Sequence, residues 1–398
     1  MAIAFIIIAS ALLVYTYILY PLLIAALAAL RPRRSVSDKS FTPRISIILS
    51  AYNEEKHLAA CLDSLLAQDY PMSLVEILAG SDGSSDKTNE ILTRYSEANP
   101  IVKKYLFESR RGKMRVLNDL IPKANGEILF FVDADMMLSP RSLHNHARHY
   151  AAADTGGVAG IYRLVSDAPS GVFVTENDYH TVEMWLRKNE SLVSSTVGLS
   201  GGNYSIRKEL WRELPSDQVH DDLYSVFTLF SSGKRLLFEP QAISTENFVR
   251  TLSEEFRRKA RFSSRGFETL RYFPHLISPT SGFPALAIWS HKILRWLSPV
   301  LLLVIFLSTL VASFYHLWGY IQTLLITELS LVGIAAIGGI LYAAKISLPV
   351  FRHLFWFSAM NIAFITGTFR YIFRLDKKHW VIAQRSVYAT PPKKEAHA

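Results

Sequence analysis

Four long apolar segments frame a polar middle region, and this layout limits the folds that are open to the chain. Residues 2–30 contain no charged side chain, and further apolar stretches lie at roughly 296–318, 321–344 and 348–373. About 20 consecutive apolar residues span the hydrocarbon core of a bilayer. The sequence therefore predicts a membrane protein with one N-terminal and about three C-terminal transmembrane helices around a soluble region at 44–275.

The basic residues lie beside the apolar segments and predict an orientation. Arg31, Arg33 and Arg34 follow the first segment, inside a basic linker at 31–43. By the positive-inside rule, the N-terminus faces out and the middle region faces the cytoplasm. Four full spans would then return the tail at 374–398 to the outside, whereas its own basic residues favour the inside. The last apolar segment is therefore expected either to span the membrane or to lie partly at its surface.

Composition narrows the classes of function. The net charge is +9 and half of the residues are hydrophobic. No zinc-ligand spacing and no arginine-rich tail accompanies this charge, so we expect a membrane surface rather than nucleic acid as its partner. The stretch 276–295, with Trp289, His291 and Lys292 among apolar residues, predicts an interfacial helix. Cys61 is the only cysteine, which excludes an intrachain disulfide.

The soluble region alternates strand and helix patterns. The runs "RISIILS", "LVEILAG", "IVKKYLF" and "EILFFVD" are each followed by residues with helical spacing. This alternation predicts an α/β fold with a mostly parallel sheet that is covered on both faces. Ligands bind such sheets beyond the carboxyl ends of the strands. Asp82 follows the second strand and Asp133 and Asp135 follow the fourth, so we expect these three residues to share a site.

The sequence "DAD" at the end of the fourth strand needs a positive partner, because two like charges so close together repel each other. Asp133 and Asp135 are two residues apart, so in an extended segment they point the same way. Their oxygens suit Mg²⁺ or Mn²⁺ bridging to phosphate. Either both bind the metal, or one binds the metal and the other a ribose. An exposed turn with helix-capping aspartates is the alternative.

Two loops carry further candidates. In "SDGSSDKT", Gly83 allows a tight turn, Asp82 is favoured for ligand contact, and Asp86 is favoured for helix capping. In "RRGKMRVLN", Arg111 and Lys113 flank a glycine at a helix start, which suits phosphate binding. A solvated basic loop is the alternative for this second stretch.

Three later stretches leave alternatives open. The glycines of "GLSGGNYSIRKELW" at 198–211 indicate close approach to a ligand or a turn before a helix. Asp221 and Asp222 begin an amphipathic helix, where they either cap the helix or include a general base. The arginines at 254–270 form a helix that lies on anionic lipid, grips a diphosphate, or does both.

In this order and spacing, the motifs resemble those of the membrane-bound family 2 glycosyltransferases. That group includes synthases of cellulose, hyaluronan, poly-N-acetylglucosamine and chitooligosaccharides, and many exopolysaccharide glycosyltransferases. The resemblance covers 44–275 and rests on "ILSAYNEE", "GSDGSSDKT", "RGKMRVLN", "FVDAD" and "HDDLYSVFTLFSSGKRLLFEP". It implies a GT-A type nucleotide-diphospho-sugar transferase domain on the cytoplasmic side of a bacterial inner membrane.

The resemblance also implies roles for individual residues. Asp222 takes the place of the catalytic base, and Asp135, with Asp133, takes that of the ligands of Mg²⁺ or Mn²⁺. Contacts to the nucleotide-sugar are expected from Asp82, Lys113, Asp133, Glu54, Arg261, Arg258 and Arg265. The acceptor side is expected to include Gly202, Asn203, Asp221, Phe262 and Trp185.

One motif departs from the pattern of the processive members. Their Q-x-x-R-W run corresponds here to "RKARF", with Arg258 for Gln and Phe262 for Trp. The departure favours a single inverting transfer from a nucleotide-sugar, in the first place a UDP-sugar, to a lipid-linked or polysaccharide acceptor. Partner proteins of a polysaccharide assembly system are also expected. A processive synthase is the alternative, and a non-catalytic scaffold a distant one, since it predicts loss of the carboxylates.

Overall fold

The computed structural model describes residues 1–30, 32, 36–165, 171–199, 201–215, 219–247, 251–315 and 319–375. Arg31, Arg33 and Arg34 lie outside these ranges, as does the basic tail from residue 376 onward. The sequence-based predictions for those residues therefore have no structural counterpart here.

A single eight-stranded sheet forms the centre of the polar region, in the strand order β3-β2-β1-β4-β7-β6-β8-β5. The strands β3, β2, β1 and β4 pair in parallel with one another. Strand β7 pairs antiparallel with β4, and β6 pairs in parallel with β8. The predicted mostly parallel α/β sheet is confirmed. The strands are β1 Ile45–Ala51, β2 Val75–Asp82, β3 Val102–Phe107, β4 Ile128–Asp133, β5 Met136–Leu138, β6 Thr155–Val165, β7 Tyr204–Arg207 and β8 Arg235–Asn247.

Helices cover both faces of the sheet and extend away from it. Two continuous helical stretches contain a π-helical segment: Tyr15–Leu19 joins α1 to α2, and Ile288–Ile293 joins α10 to α11. The helices are α1 Ala2–Val14, α2 Tyr20–Leu30, α3 Leu58–Leu66, α4 Thr88–Ala98, α5 Lys113–Leu120, α6 Ser142–Ala147, α7 Gly171–Val193, α8 Asp221–Ser231, α9 Leu252–Leu270, α10 Phe283–Ala287, α11 Leu294–Phe314, α12 Tyr320–Ala343 and α13 Pro349–Ile372.

The alternation of side chains along the central strands builds two cores. On β1, Ile47 and Leu49 pack against α3 on one face, while Ile48 packs with Leu117 of α5 on the other. All five residues from Ile128 to Val132 on β4 are buried, as expected for a strand covered on both sides. Burying one such side chain contributes about 1.5–3 kcal/mol, so these two layers hold the sheet rigidly beneath its loops.

Strand register places the candidate carboxylates at one edge. Ser50 of β1 pairs with Gly80 of β2 on one side and with Asp133 of β4 on the other. The carboxyl ends of three adjacent strands therefore finish level with each other. The loops that follow them, including Asp82, project from the same side of the sheet.

Among the residues that the structure describes, three helical stretches are long and apolar enough to cross a membrane: Ala2–Leu30, Phe283–Phe314 and Tyr320–Ala343. The second begins 13 residues before the predicted boundary at 296, because the expected interfacial helix continues into the span through the π-helical segment. The fourth predicted segment is the helix α13, which is not among the three. It packs on α9, where a Cβ at Gly367 would overlap the carbonyl oxygen of Ala260.

Candidate active site

Asp82, at the end of β2, fixes the loop that precedes α5. Its side chain is buried, and its two carboxylate oxygens accept hydrogen bonds from the backbone N–H groups of Arg111 and Gly112, both at 2.8 Å. Gly112 has a φ of 96°, a conformation that favours glycine. Hydrogen bonds to a carboxylate are stronger than neutral ones. Asp82 therefore determines where α5 begins and where Lys113 stands.

Lys113 joins three elements at the centre of the site. Its ammonium group lies 2.8 Å from Asp133 of β4 and 2.9 Å from Asp221 of α8. Burial alone would lower the pKa of Lys113, but the two carboxylates raise it well above its ordinary value. Burial would likewise raise the pKa of Asp221, yet Lys113 and then His220 hold it below the usual range. Lys113 is thus a permanent cation between two anions.

Asp222 and Asp133 face each other across Gly201. A Cβ placed on Gly201 would lie 3.6 Å from Oδ2 of Asp222 and 3.8 Å from Oδ2 of Asp133. The other oxygen of Asp222 lies against His220 Nδ1 and accepts a hydrogen bond from Leu223 N at 2.8 Å. The absence of a side chain at Gly201 therefore leaves an opening onto which two carboxylate oxygens converge.

The next two residues build the floor of this opening. A Cβ on Gly202 would overlap Met136 Sδ and lie 3.0 Å from the backbone nitrogen of Asp133, so the glycine seats the loop directly on the "DAD" turn. Asn203 is fully buried, and its amide donates to the carbonyl oxygens of Ile161 and Ala242 at 3.1 and 2.9 Å. Asn203 thus ties β7 to β6 and β8, a location that does not favour the acceptor contact expected from the sequence.

The donor atoms at the end of β4 suit a divalent cation. Oδ1 of Asp133 binds Lys113, while its Oδ2 points toward the opening at Gly201. Asp135 is buried and follows two residues later. A set of hard carboxylate oxygens beside an opening fits Mg²⁺ or Mn²⁺. Asp133 could therefore hold the metal together with Asp135, its predicted second ligand. His220, Asp221 and Asp222 also bring ligand atoms within 4.8 Å of one another and could hold an ion.

Two arginines of the cationic helix α9 have different partners. Arg265 is buried, and its positive charge helps to lower the pKa of Asp221. Arg258 instead binds Glu255 at 2.5 Å and Glu176 of α7 at 2.6 Å. Two carboxylates therefore already neutralise Arg258, which disfavours the diphosphate contact expected for it.

The remaining predicted residues lie around this centre. Phe262 packs against the ring of His220, with 4.9 Å between the ring centroids. Arg261 is half-buried on the same helix. Glu54 is half-buried in the loop after β1, and its backbone N–H donates to Thr88 Oγ1 at 2.8 Å. Trp185 lies on α7 and is 43% exposed.

Sequence reasoning did not select His220 or Gly201, although both now contact the proposed base. His220 directly precedes Asp221 and Asp222 in the sequence, and this position next to two candidate residues is the signal that could have identified it. Gly201 stood among other glycines without a distinguishing signal, since the sequence does not show what a missing side chain faces. The sequence also did not indicate that the side chains of Asp82 and Lys113 link separate loops, because their partners lie far away along the chain.

The solved structures support the class of fold. A mannosyltransferase from Pyrobaculum calidifontis, in complex with GDP-Man and Mn²⁺, superposes with a TM-score of 0.71 at 22% sequence identity. The superposition covers 94% of this chain and 100% of that one. The protein therefore has the GT-A fold.

The sequence comparisons point to one group of enzymes. Residues 46–214 match the sequence profile described as glycosyl transferase family 2. The poly-β-1,6-N-acetyl-D-glucosamine synthase of Staphylococcus epidermidis is 25% identical over 235 residues, covering 57% of this chain and 55% of the synthase. An uncharacterized glycosyltransferase of Nostoc sp. is 32% identical over 115 residues, 29% of this chain and 35% of that protein. The chain thus aligns with about half the length of the synthase.

Proposed function

We propose that the protein is an inverting glycosyltransferase. In this proposal it transfers a sugar from a nucleotide-sugar, in the first place a UDP-sugar, to a membrane-associated acceptor in exopolysaccharide or cell-envelope synthesis. The observation that carries the proposal is the convergence of Asp133, Asp222 and Lys113 around the opening at Gly201, in a chain that matches the family 2 profile over residues 46–214. These residues are separated by up to about a hundred positions in sequence, and packing alone does not require their charges to meet.

The proposed reaction is a single displacement. Oδ2 of Asp222 accepts the proton of an acceptor hydroxyl, and the hydroxyl oxygen attacks the anomeric carbon. The bond from that carbon to the nucleotide diphosphate breaks, and the diphosphate departs with the electron pair. Attack from the opposite face inverts the anomeric configuration.

The surroundings stabilise the charge that develops on the leaving group. Arg265 supplies fixed positive charge in a largely buried site, where such groups act strongly on a transition state. Lys113 is expected to contact the nucleotide as well, although Asp133 and Asp221 balance its charge. Asp135 and Asp133 would hold the Mg²⁺ or Mn²⁺ ion, which when bound supplies further positive charge for the diphosphate. Asp82 acts by holding the Arg111–Gly112 loop, and it also stands where a nucleoside contact is expected.

The membrane helices support an acceptor that is itself in the membrane. The hydroxyl of Tyr20 on α2 and the ring of His291 near α11 both bind Glu190 of α7, at 2.7 and 2.8 Å. The catalytic domain is therefore fastened to two candidate spans. An acceptor carried by a lipid would reach such a domain without leaving the bilayer surface.

The first test is made on purified protein with a panel of nucleotide-sugars. Membrane extract serves as the acceptor source, and release of the nucleoside diphosphate is measured with and without Mn²⁺. We expect Asp222→Asn to abolish transfer while nucleotide binding stays within about threefold, because the acid loses its basic oxygen and keeps its shape. The control is Asp69→Asn, whose side chain is 70% exposed and pairs with Arg141. Unchanged transfer in Asp222→Asn would refute the assignment.

Processive polymerisation is the second candidate, and the similarity to the poly-β-1,6-N-acetyl-D-glucosamine synthase favours it. Phe262 would then face the growing chain beside His220. Sizing the product separates the two candidates, because a single transfer adds one sugar whereas a processive synthase yields long chains.

A further inference from the structure

His220 contacts the proposed base Asp222, and no role in the proposed reaction has been assigned to it above. It occupies the position before the first turn of α8, where a side chain often caps the helix. Its side chain makes no capping hydrogen bond, and is turned instead onto Asp222. The imidazole therefore contributes to the site rather than to the end of the helix.

Three contacts hold this imidazole in place. Its backbone N–H donates to Thr269 Oγ1 of α9 at 2.9 Å, and its ring packs on Phe262 of the same helix. Its Nδ1 lies against Oδ1 of Asp222 and 3.9 Å from the nearer oxygen of Asp221. Only 18% of the side chain is exposed. His220 thus links the cationic helix to the carboxylate across the opening.

The two oxygens of Asp222 consequently have different surroundings. Oδ1 is engaged by His220 and by the N–H of Leu223, whereas Oδ2 faces the opening at Gly201. A carboxylate held at one oxygen cannot rotate freely about its terminal bond. The lone pairs of the other oxygen then keep one direction, which is the condition for efficient proton transfer.

We propose that His220 is a positioning residue whose imidazole, with Nδ1 against Oδ1 of Asp222, holds this carboxylate and so aims Oδ2 at the acceptor hydroxyl. The inference rests on the proposed function, since it assumes that Asp222 is the base. His220 itself touches neither substrate nor reacting atoms in this proposal. Its contribution is geometric, because a misplacement of about 1 Å in a catalytic group costs on the order of 100-fold in rate.

The first experiment compares His220→Ala, His220→Asn and His220→Gln in the nucleotide-release assay. The donors are UDP-glucose, UDP-N-acetylglucosamine and GDP-mannose, and membrane extract supplies the acceptor. The amide nitrogen of Asn occupies the place of Nδ1, whereas that of Gln reaches the place of Nε2. We expect His220→Ala and His220→Gln to lose about 100-fold in kcat, and His220→Asn to stay within about threefold of the native enzyme. The KM for the donor should change little in all three.

The control is His275→Ala, an exposed histidine that bonds Ser231 of the same helix. Native kcat in His220→Ala, equal kcat in the Asn and Gln variants, or an effect confined to KM would each overturn the proposal. A structural role for the ring would lower thermal stability in all three variants and would not separate Asn from Gln.

A double-mutant cycle tests the contact between His220 and Asp222 without an activity measurement. Thermal unfolding of His220→Ala, Asp222→Asn and the double variant measures the coupling between the two side chains. We expect the effects on Tm to be non-additive, and additive effects would contradict the contact. Failure of the native protein to use any of the three donors would count against the proposed function. In that case the double-mutant cycle alone would decide whether His220 and Asp222 interact.

Discussion

At the scale of single residues, the site depends on charge balance rather than on any one carboxylate. Asp133 and Asp221 stand on different elements, and the ammonium of Lys113 lies between them at 2.8 and 2.9 Å. Without that cation, the two anions would repel each other in a buried setting. Lys113 therefore has a structural task as well as the nucleotide contact expected of it.

Substitutions at the neighbouring residues Gly201 and Gly202 are expected to affect activity and stability differently. In Gly201→Ala, the new methyl group would lie at ordinary contact distance from Asp222 and Asp133, so the fold should tolerate it. It would also fill the opening, and we expect kcat/KM to fall by about 10- to 100-fold with little change in Tm. The measurement is nucleotide release together with thermal unfolding.

Gly202→Ala should behave in the opposite manner. Its Cβ would overlap Met136 and press on the backbone of Asp133, so we expect a loss of about 1–3 kcal/mol in the free energy of unfolding. Gly333→Ala is the control for both variants, because no atom lies within 4 Å of its Cβ. Equal loss of stability in the two loop variants would contradict this division.

At the scale of elements, buried ion pairs fasten the units that carry the site. On one side, Glu183 and Glu190 of α7 bind His291 at 2.9 and 2.8 Å, and Arg295 binds Glu183 at 2.9 Å. Burial would raise the pKa values of both glutamates, but His291 lowers them below the ordinary range. The pairs keep α7 against the start of the second span.

A second cluster fastens β8 to the helical turn before β6. Glu239 of β8 accepts from Arg148 and from His149 Nε2, the latter at 2.7 Å. Burial raises the pKa of this carboxyl, yet its partners, His149 first, lower it to about 2. The folded-state pKa is below the unfolded one, so the stabilisation is present above about pH 4.5 and is lost as the pH falls toward 2.

We therefore expect Glu239→Gln to lower the stability at pH 7 by up to about 3 kcal/mol, which corresponds to a fall in Tm of roughly 5–10 °C. The difference from the native protein should shrink as the pH falls from 5 to 3, because Glu239 of the unfolded chain binds a proton in this range, whereas the folded carboxylate, with its pKa of about 2, stays ionised. Thermal unfolding across this range measures it. A difference that stays constant with pH would show that the carboxylate charge is not the source.

At the scale of the whole molecule, the path of the chain around the membrane follows from the C-terminal helices. The second and third candidate spans, Phe283–Phe314 and Tyr320–Ala343, lead away from the catalytic domain and back. The helix α13 then returns to that domain, where Trp356 and Met360 pack with Leu164 of β6. If only the three candidate spans cross the membrane, the end of α13 lies on the side of the catalytic domain.

This arrangement gives a topology test with two single-cysteine additions. Tyr320→Cys, at the first residue of the third span, should react with a membrane-impermeant maleimide in intact cells. Ser347→Cys, between α12 and α13, should react only after the membrane is disrupted, if the catalytic domain is cytoplasmic. Both positions are exposed, and the native Cys61 is fully buried, which limits background labelling. Labelling of Ser347→Cys in intact cells would reverse the proposed orientation.

The packing of α13 bears on the side of the membrane that is predicted for the tail. The segment at 348–373 is apolar enough to suggest a span, but its helix finds its partner surface on α9, where Ser263 and Thr368 lie 3.2 Å apart. Close contact of Gly367 with α9 requires a neighbour of this shape, which no single-sequence pattern reveals. With α13 on the domain side, the basic residues of the tail agree with the positive-inside rule.

The sequence by itself determined the alternation of strands and helices, the family resemblance and the sheet edge at which Asp82, Asp133 and Asp135 would lie. These features are local, because hydrophobic period and strand-end residues act over short stretches of chain. Tertiary structure alone decided which partners the charges take. Arg258 binds glutamates, Asn203 ties strands together, and His220 meets Asp222, because each of these outcomes depends on side chains brought together by folding.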